Sequence, residues 1–279
     1  MGLSRRVFMD ASLSAATASV MAVTNVAEAS AKKPQKWDKT VNVVIIGSGD
    51  AGLATAVSAA ERGVKDILVL EKLAFLGGNT AIATGAFNTA DPKQKEQGIE
   101  DSPELHAQQT LKGGDFRGNQ DLVNTLTHNS YDTLKWLESK GVKFQPKILQ
   151  VYGALWPRSH ATAASKGSDY IRVLSEEAKK LGVMIQTQAK VVDIIRENQL
   201  SGRVLGVEYV NKDGQHVFVR ALKAVVACPG GFAANREMRS MHDPRLYNLT
   251  TTNNPAASTG EVLVMMQDIG ADVTGMDHI

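Results

Sequence analysis

An α/β fold, a parallel sheet with an added β-meander, is predicted by three features of the chain. A β-branched run, Val41-Asn42-Val43-Val44-Ile45-Ile46, breaks abruptly into Gly47-Ser48-Gly49-Asp50-Ala51-Gly52, and a helical pattern follows. A second apolar run, Ile67-Leu68-Val69-Leu70, ends in the acid Glu71. Far downstream, alternating segments flank the turn Asn211-Lys212-Asp213-Gly214 and lead into the apolar run Ala224-Val225-Val226-Ala227. Strand, tight turn, helix and strand in that order form a βαβ unit, whose strands lie parallel because the helix carries the chain back. The turn at 211–214 reads as a hairpin, and the run at 224–227 as a buried strand returning to the sheet. With 279 residues, 43% of them apolar and 22% charged, the chain is an ordinary globular one of one large or two modest domains.

Before this fold the chain reads as an address. Residues 1–29 carry a basic start, a short Ala/Ser-rich apolar stretch and a small-x-small site at Ala27-Glu28-Ala29. Ser4-Arg5-Arg6-Val7-Phe8-Met9 has the pattern of a twin-arginine signal, with Asp10 where a Lys is usual. The apolar stretch is too short to remain as a membrane span, and the expected location is the periplasm. Residues 30–39 (SAKKPQKWDK) read as a linker. The net charge of +2, with both signs interspersed, gives no electrostatic case for nucleic acid. The single cysteine, Cys228, excludes an internal disulfide, a cysteine-rich metal site and a c-type haem attachment.

Each part of the first βαβ unit has a physical task. Gly47 permits the tight turn, Gly49 lets backbone approach a pyrophosphate, and Gly52 lets helix and strand pack closely, with Ala51 between them. The helix start offers unpaired N–H groups and the positive end of its dipole. Glu71 stands where a carboxylate accepts hydrogen bonds from ribose hydroxyls, which disfavours a 2′-phosphate and hence NADP. FAD and NAD both satisfy this motif. The next stretch, Leu76-Gly77-Gly78-Asn79-Thr80-Ala81-Ile82-Ala83-Thr84-Gly85, separates them. A glycine pair followed by small and hydroxyl residues suggests backbone laid against a large flat ligand, which favours FAD.

The whole run EKLAFLGGNTAIATGAFN resembles the flavoprotein subunits of the fumarate reductase and succinate dehydrogenase superfamily. It is most similar to the soluble flavocytochrome c fumarate reductase branch, with urocanate and methacrylate reductases, and more distantly to 3-ketosteroid dehydrogenases. The resemblance implies a glutathione-reductase-type FAD domain over residues 40–275, and the start of a separate clamp domain at 276–279. It implies FAD contacts, without a covalent link, at Gly47, Gly49, Ala51, Gly52, Glu71, Lys72, Asn79, Thr80, Thr84, Gly85, Val191, Gly230 and Glu261. Val191 falls where the family lays backbone against adenine. Cys228-Pro229-Gly230-Gly231 stands where the family has Ala-Thr-Gly-Gly, and Cys228 is expected to be a small buried residue without a redox role. Glu261 replaces the family's Asp, and Val262 the glycine after it.

Further elements follow from local signals. Leu122, Leu126, Leu134 and Leu137 recur at helical spacing, so His106 and His128 in this region read as ordinary helix residues. Arg158 and His160, beside Trp156, fall on a family loop that approaches an anionic substrate or the flavin, or simply tethers the next helix. Val183 to Thr187 reads as a strand continued by Ala189 to Ile195. Thr259 is placed to cap a helix closed by Gly270, after which Asp272-Val273 reads as the start of a strand.

The resemblance implies an FAD-dependent oxidoreductase that reduces the C=C bond of a small unsaturated acid by hydride transfer from flavin N5. Its catalytic residues, a histidine and clamp arginines, are expected beyond Ile279, so no catalytic or metal-binding residue is assigned within the chain. A separate electron donor, such as a c-type cytochrome, is implied as partner. Two other readings stand beside this one: a non-catalytic FAD-binding remnant, and an NAD(P)-linked dehydrogenase, disfavoured by GGNTAIATG and the export signal.

Overall fold

Strand β1 (Lys39–Ile46), helix α1 (Asp50–Glu61) and strand β2 (Ile67–Leu70) form the expected βαβ unit. β1 and β2 pair in parallel from Val43↔Ile67 to Ile46↔Leu70. In this computed structural model, residues 34–251, 254 and 256–276 are described. The expected signal peptide, residues 30–33 of the linker, and residues 277–279 with His278 lie outside them.

The sheet buries β2 and the second half of β1 on both faces, and these read as continuous apolar runs. Its order is β5-β2-β1-β8-β7-β6, with β5 (Met184–Gln186), β6 (Lys190–Asn198), β7 (Ser201–Val210) and β8 (His216–Ala227). On one face α1 buries Leu53, Ala56, Val57 and Ala60, a helical spacing, against Ile45 and Val69. Helix α5 (Ser168–Lys180) adds Ile171, Val173 and Leu174 to the same layer. On the other face the meander supplies Val191, Ile194, Val207, Tyr209 and Val219, which cover Val44, Ile46, Leu68 and Leu70. β8 joins the two parts: its first half pairs antiparallel with β7, and its second half pairs parallel with β1.

A second, two-stranded sheet joins β3 (Ala86–Asn88) to β4 (Ser159–Ala161). Between those strands run α3 (Pro103–Gly113), capped by the Ser102 hydroxyl, and α4 (Gln120–Lys140), capped by Asn119. Short α2 (Gly78–Ile82) precedes β3, and α6 (Arg236–His242) and α7 (Glu261–Asp268) follow β8. No helix among the described residues is long and apolar enough to cross a membrane.

Several expectations are corrected. The segment from Val183 to Ile195 is not one strand: β5 and β6 lie at opposite ends of the strand order. The chain turns between them, with Gln188 at φ +52°. Leu134 and Leu137 are buried, but Leu122 and Leu126 are 70% and 60% exposed. The buried stripe of α4 runs instead through Thr127, Ser130, Leu134 and Leu137, one position off the leucine stripe in its first half. Ala224 to Ala227 are half-buried rather than buried, and Ala227 lines an open cavity. Gly260 stands at the N-cap of helix α7 with no side-chain cap, and Thr259 turns its hydroxyl elsewhere. Gly270 does follow the helix end with φ +92°. Asp272 and Val273 form no strand; the Asp272 carboxylate accepts the Val273 N–H at 2.9 Å, a local bond that competes with extended pairing.

Candidate functional site

A cavity of about 410 Å³ opens at the carboxyl ends of β1 and β2, the crevice in which open α/β sheets take their ligands. Its wall comes from six places in the chain: the β1–α1 turn, the end of β2, the start of α2, the start of β6, the segment after β8 and the segment before α7.

The glycine turn is built as its spacing requires. Gly47 has φ +101°, and a Cβ there would stand 2.3 Å from the Cys228 carbonyl oxygen. A Cβ on Gly52 would stand 2.0 Å from the Gly47 oxygen, so only glycine lets α1 begin this close to the turn. Gly49 differs: a Cβ there would meet nothing nearer than Thr80 Oγ1 at 3.7 Å. Its bare backbone lines the cavity at the start of α1, which carries no side-chain cap. First-turn N–H groups have no partner within a helix, so this end is a cradle for an anion.

Glu71 is 6% exposed and organises the turn from below. It accepts Ser48 Oγ–H at 2.5 Å and Ser48 N–H at 3.1 Å on one oxygen, and Leu73 N–H at 2.8 Å on the other. Three acceptor positions of about four are thereby used, leaving one for a ligand hydroxyl. Ser48, absent from the sequence reading, is the hub: its oxygen also accepts the Gly77 N–H at 3.1 Å. The signal for it is the small polar residue between two glycines.

The opposite wall is held by polar ties. Asn79 donates to Ser258 Oγ at 2.6 Å and accepts the Asn254 N–H at 2.7 Å, fixing α2 to the segment before α7. Thr80 Oγ1 accepts the Asp50 N–H at 3.2 Å. Glu261 bridges Lys72 at 3.1 Å and Lys190 at 3.2 Å, and Thr259 donates to it. Burial opposes its ionisation, but the bonds from Thr259, Lys72 and Lys190 prevail and lower its pKa to about 2. Lys190 was likewise not expected; no sequence spacing links it to residue 261.

Of the thirteen residues expected at the site, ten line the cavity: Gly47, Gly49, Ala51, Glu71, Lys72, Asn79, Thr80, Val191, Gly230 and Glu261. Gly52, Thr84 and Gly85 do not. Gly52 lies beneath the turn. Thr84 is exposed, and Gly85 serves packing, its carbonyl accepting Tyr170 Oη–H at 2.9 Å and Thr162 N–H at 3.1 Å. Cys228 lines the cavity half-buried, and burial pushes its thiol pKa up.

Arg158 and His160 are no part of this wall. Arg158 is 4% exposed and holds Asp101 with two bonds, at 3.0 and 2.9 Å, and Gln109 at 2.7 Å. His160 is buried in β4 with Nε2 4.0 Å from Asp91, and burial lowers its pKa. His106 is buried in α3, with a pKa lowered by burial and the Arg158 charge to about 4, whereas His128 is exposed on α4. No cluster of metal-binding side chains occurs among the described residues.

The family described as an FAD binding domain matches residues 42–279. The chain is 33% identical to the acrylate reductase flavoprotein subunit of Shewanella woodyi, over 99% of this chain and 56% of that protein. It is 32% identical to the urocanate reductase of Eggerthella lenta, over 92% of this chain and 45% of the other. Its fold matches the open conformation of a flavocytochrome c3 fumarate reductase with a TM-score of 0.77 and 30% identity, covering 85% and 41% of the two chains. It also matches a 3-ketosteroid-Δ4-(5α)-dehydrogenase from Rhodococcus jostii RHA1, with a TM-score of 0.80 and 29% identity over 89% and 57%. The chain spans about half the length of the curated relatives it matches.

Proposed function

Since the chain belongs to the FAD binding domain family, and within it to the flavoproteins of the fumarate reductase class, we propose that residues 40–275 hold FAD non-covalently for the reduction of a small unsaturated acid. The observation that carries this reading is the cavity at the carboxyl ends of β1 and β2, floored by the bare backbone of Gly49 and backed by Glu71. The start of α1 would take the diphosphate, and the remaining acceptor position of Glu71 a ribose hydroxyl. Val191 and Gly230 border the same cavity, in keeping with backbone contacts to adenine and nucleotide. Asn79 and its ties to Ser258 and Asn254 would fix the wall nearest the flavin half.

FAD, when bound, supplies two-electron hydride chemistry at its ring. Among the described residues lining the cavity there is no histidine or tyrosine, and burial keeps the Cys228 thiol protonated, which supports a non-covalent link. The acid substrate is inferred from relatives named as reductases of acrylate, urocanate and fumarate. We assign the groups that bind it to protein outside residues 40–275. The one cysteine cannot attach a c-type haem within this chain; a separate electron donor, such as a c-type cytochrome, is part of the proposal, as is export by the twin-arginine route. A 3-ketosteroid substrate is the second reading, favoured by the likeness to the Rhodococcus jostii enzyme.

The test is direct. The purified chain should show a flavin absorption spectrum, and acid denaturation should release FAD unchanged into solution. A colourless protein that binds NADH instead would overturn the proposal. Flavin that stays with the denatured chain would overturn the non-covalent part alone. Extending the gene product to the relatives' length and assaying acrylate, urocanate, fumarate and a 3-ketosteroid would decide the substrate class.

A further inference from the structure

Asp50 is out of place for an anion cradle. It is the first residue of α1, next to Gly49, and it lines the cavity. One of its carboxyl oxygens, Oδ1, is buried and has no hydrogen-bond partner, while its backbone N–H is held by Thr80. Buried polar atoms are almost always paired, and a charged carboxylate loses most by leaving one bare, so the unpaired oxygen favours the neutral acid. Among the described residues no cation pairs with it. Burial is what moves its ionisation, and it raises the pKa above the ordinary aspartate value.

The neighbours on each packed element leave Asp50 alone in this respect. From α5 the facing titratable group is Tyr170, whose phenol feels both Asp50 and Asp169 and is engaged with the Gly85 carbonyl. α2 contributes Asn79 and Thr80, which do not titrate. Glu71 is bound to Ser48 below, and Lys72 and Lys190 are held by Glu261 across the cavity. Cys228, after β8, holds its proton.

A dinucleotide diphosphate brought to this helix end would meet the Asp50 carboxyl. An ionised carboxylate there would repel it, and a neutral one can donate to it. We propose that Asp50 works as a neutral carboxylic acid that donates a hydrogen bond to the FAD diphosphate, so that binding FAD takes up one proton. The inference rests on the FAD reading above. Buried carboxylic acids kept neutral in order to donate are known from other sites. The competing role is purely structural: an ionised acid favoured by the α1 dipole, which predicts no linkage between FAD and protons.

The sign follows from linkage. A ligand that prefers the protonated carboxyl raises its pKa, so affinity is greatest below the pKa of the empty site. It falls as pH rises from there toward the pKa of the loaded site, by about tenfold for each unit between the two. Asp50→Asn keeps a donor at every pH. Titrating the apo-protein with FAD by flavin fluorescence, from mildly acidic to mildly basic pH, should show affinity falling for the wild type and flat for D50N. At basic pH the variant should bind more tightly by the same factor. Superimposable profiles, or weaker binding by D50N at every pH, would overturn the role of Asp50 while leaving FAD binding intact. FAD binding by neither protein at any pH would overturn the underlying FAD reading and this inference with it. Should D50N not fold, proton uptake by the wild-type chain on adding FAD in weak buffer decides alone, and no uptake overturns the proposal.

Discussion

Arg158 shows how a single residue can look functional in sequence and be structural in three dimensions. Beside Trp156 and His160 it reads as well for a loop approaching an anion as for a simple tether, and the structure spends its guanidinium on Asp101, whose side chain is 1% exposed, and on Gln109. The partner lies 57 positions away, and nothing in local spacing announces it. Removing one member of a buried pair strands the other charge, at a cost of about 3–5 kcal/mol. Arg158→Ala should therefore lower the unfolding free energy by that amount in a urea titration. Arg158→Lys should recover little of it, because an ammonium cannot reproduce the two-bond fork. A loss below about 1 kcal/mol, the value of an exposed pair, would show that Asp101 finds water instead. The converse case is Ser48, a residue unremarkable in sequence that ties Glu71 to the Gly77 amide and so shapes the site.

At the scale of elements, legibility followed the physics of each signal. The β1–α1–β2 unit could be read because its glycine spacing is local: Gly47 and Gly52 answer steric demands, and Gly49 keeps the backbone bare at the start of α1. The β5–β6 connection could not, because two short apolar runs separated by a few residues have the same pattern whether they continue or part. What parts them is the positive φ of Gln188 and the packing of β6 against β7, a long-range event. Helix α7 was misread at its start for a related reason: Thr259 has cap chemistry, but Lys72 and Glu261 claim its hydroxyl. The glycine turn gives a paired test. Gly52→Ala places a methyl 2.0 Å from the Gly47 oxygen and should cost stability by about 1–3 kcal/mol, together with FAD binding. Gly49→Ala has room within the protein, with the nearest atom at 3.7 Å, and should leave the unfolding midpoint nearly unchanged. Its methyl points where the diphosphate would approach, so FAD affinity should drop at least tenfold in a fluorescence titration. Equal losses of stability in both variants would remove the distinction between packing and binding glycines.

For the whole molecule, the telling fact is how the cavity wall is assembled. Its segments lie near residues 47, 71, 79, 190, 229 and 260, and the cavity sits where the two packed faces of the sheet meet the loops beyond its strands. Sequence supplied the first three of these from motifs, and the others only through resemblance, because strand order and the folding of the meander over the second face are properties of the assembled chain. A ligand touching all of them couples parts that otherwise share few bonds, such as the Asn79 ties and the Glu261 bridges. Binding to the folded state alone stabilises by about 2.7 kcal/mol at a hundredfold excess over Kd. For a chain of this size that amounts to a rise in melting temperature of about 5 to 10 °C. Differential scanning fluorimetry of the apo-protein with FAD should show such a rise, and NAD at equal concentration should leave the transition unmoved. AMP, which reaches only the Glu71 and Val191 side of the cavity, should give a smaller shift than FAD. If AMP matched FAD, the diphosphate cradle and the Asn79 wall would contribute nothing to binding, and the site would be an adenosine pocket alone.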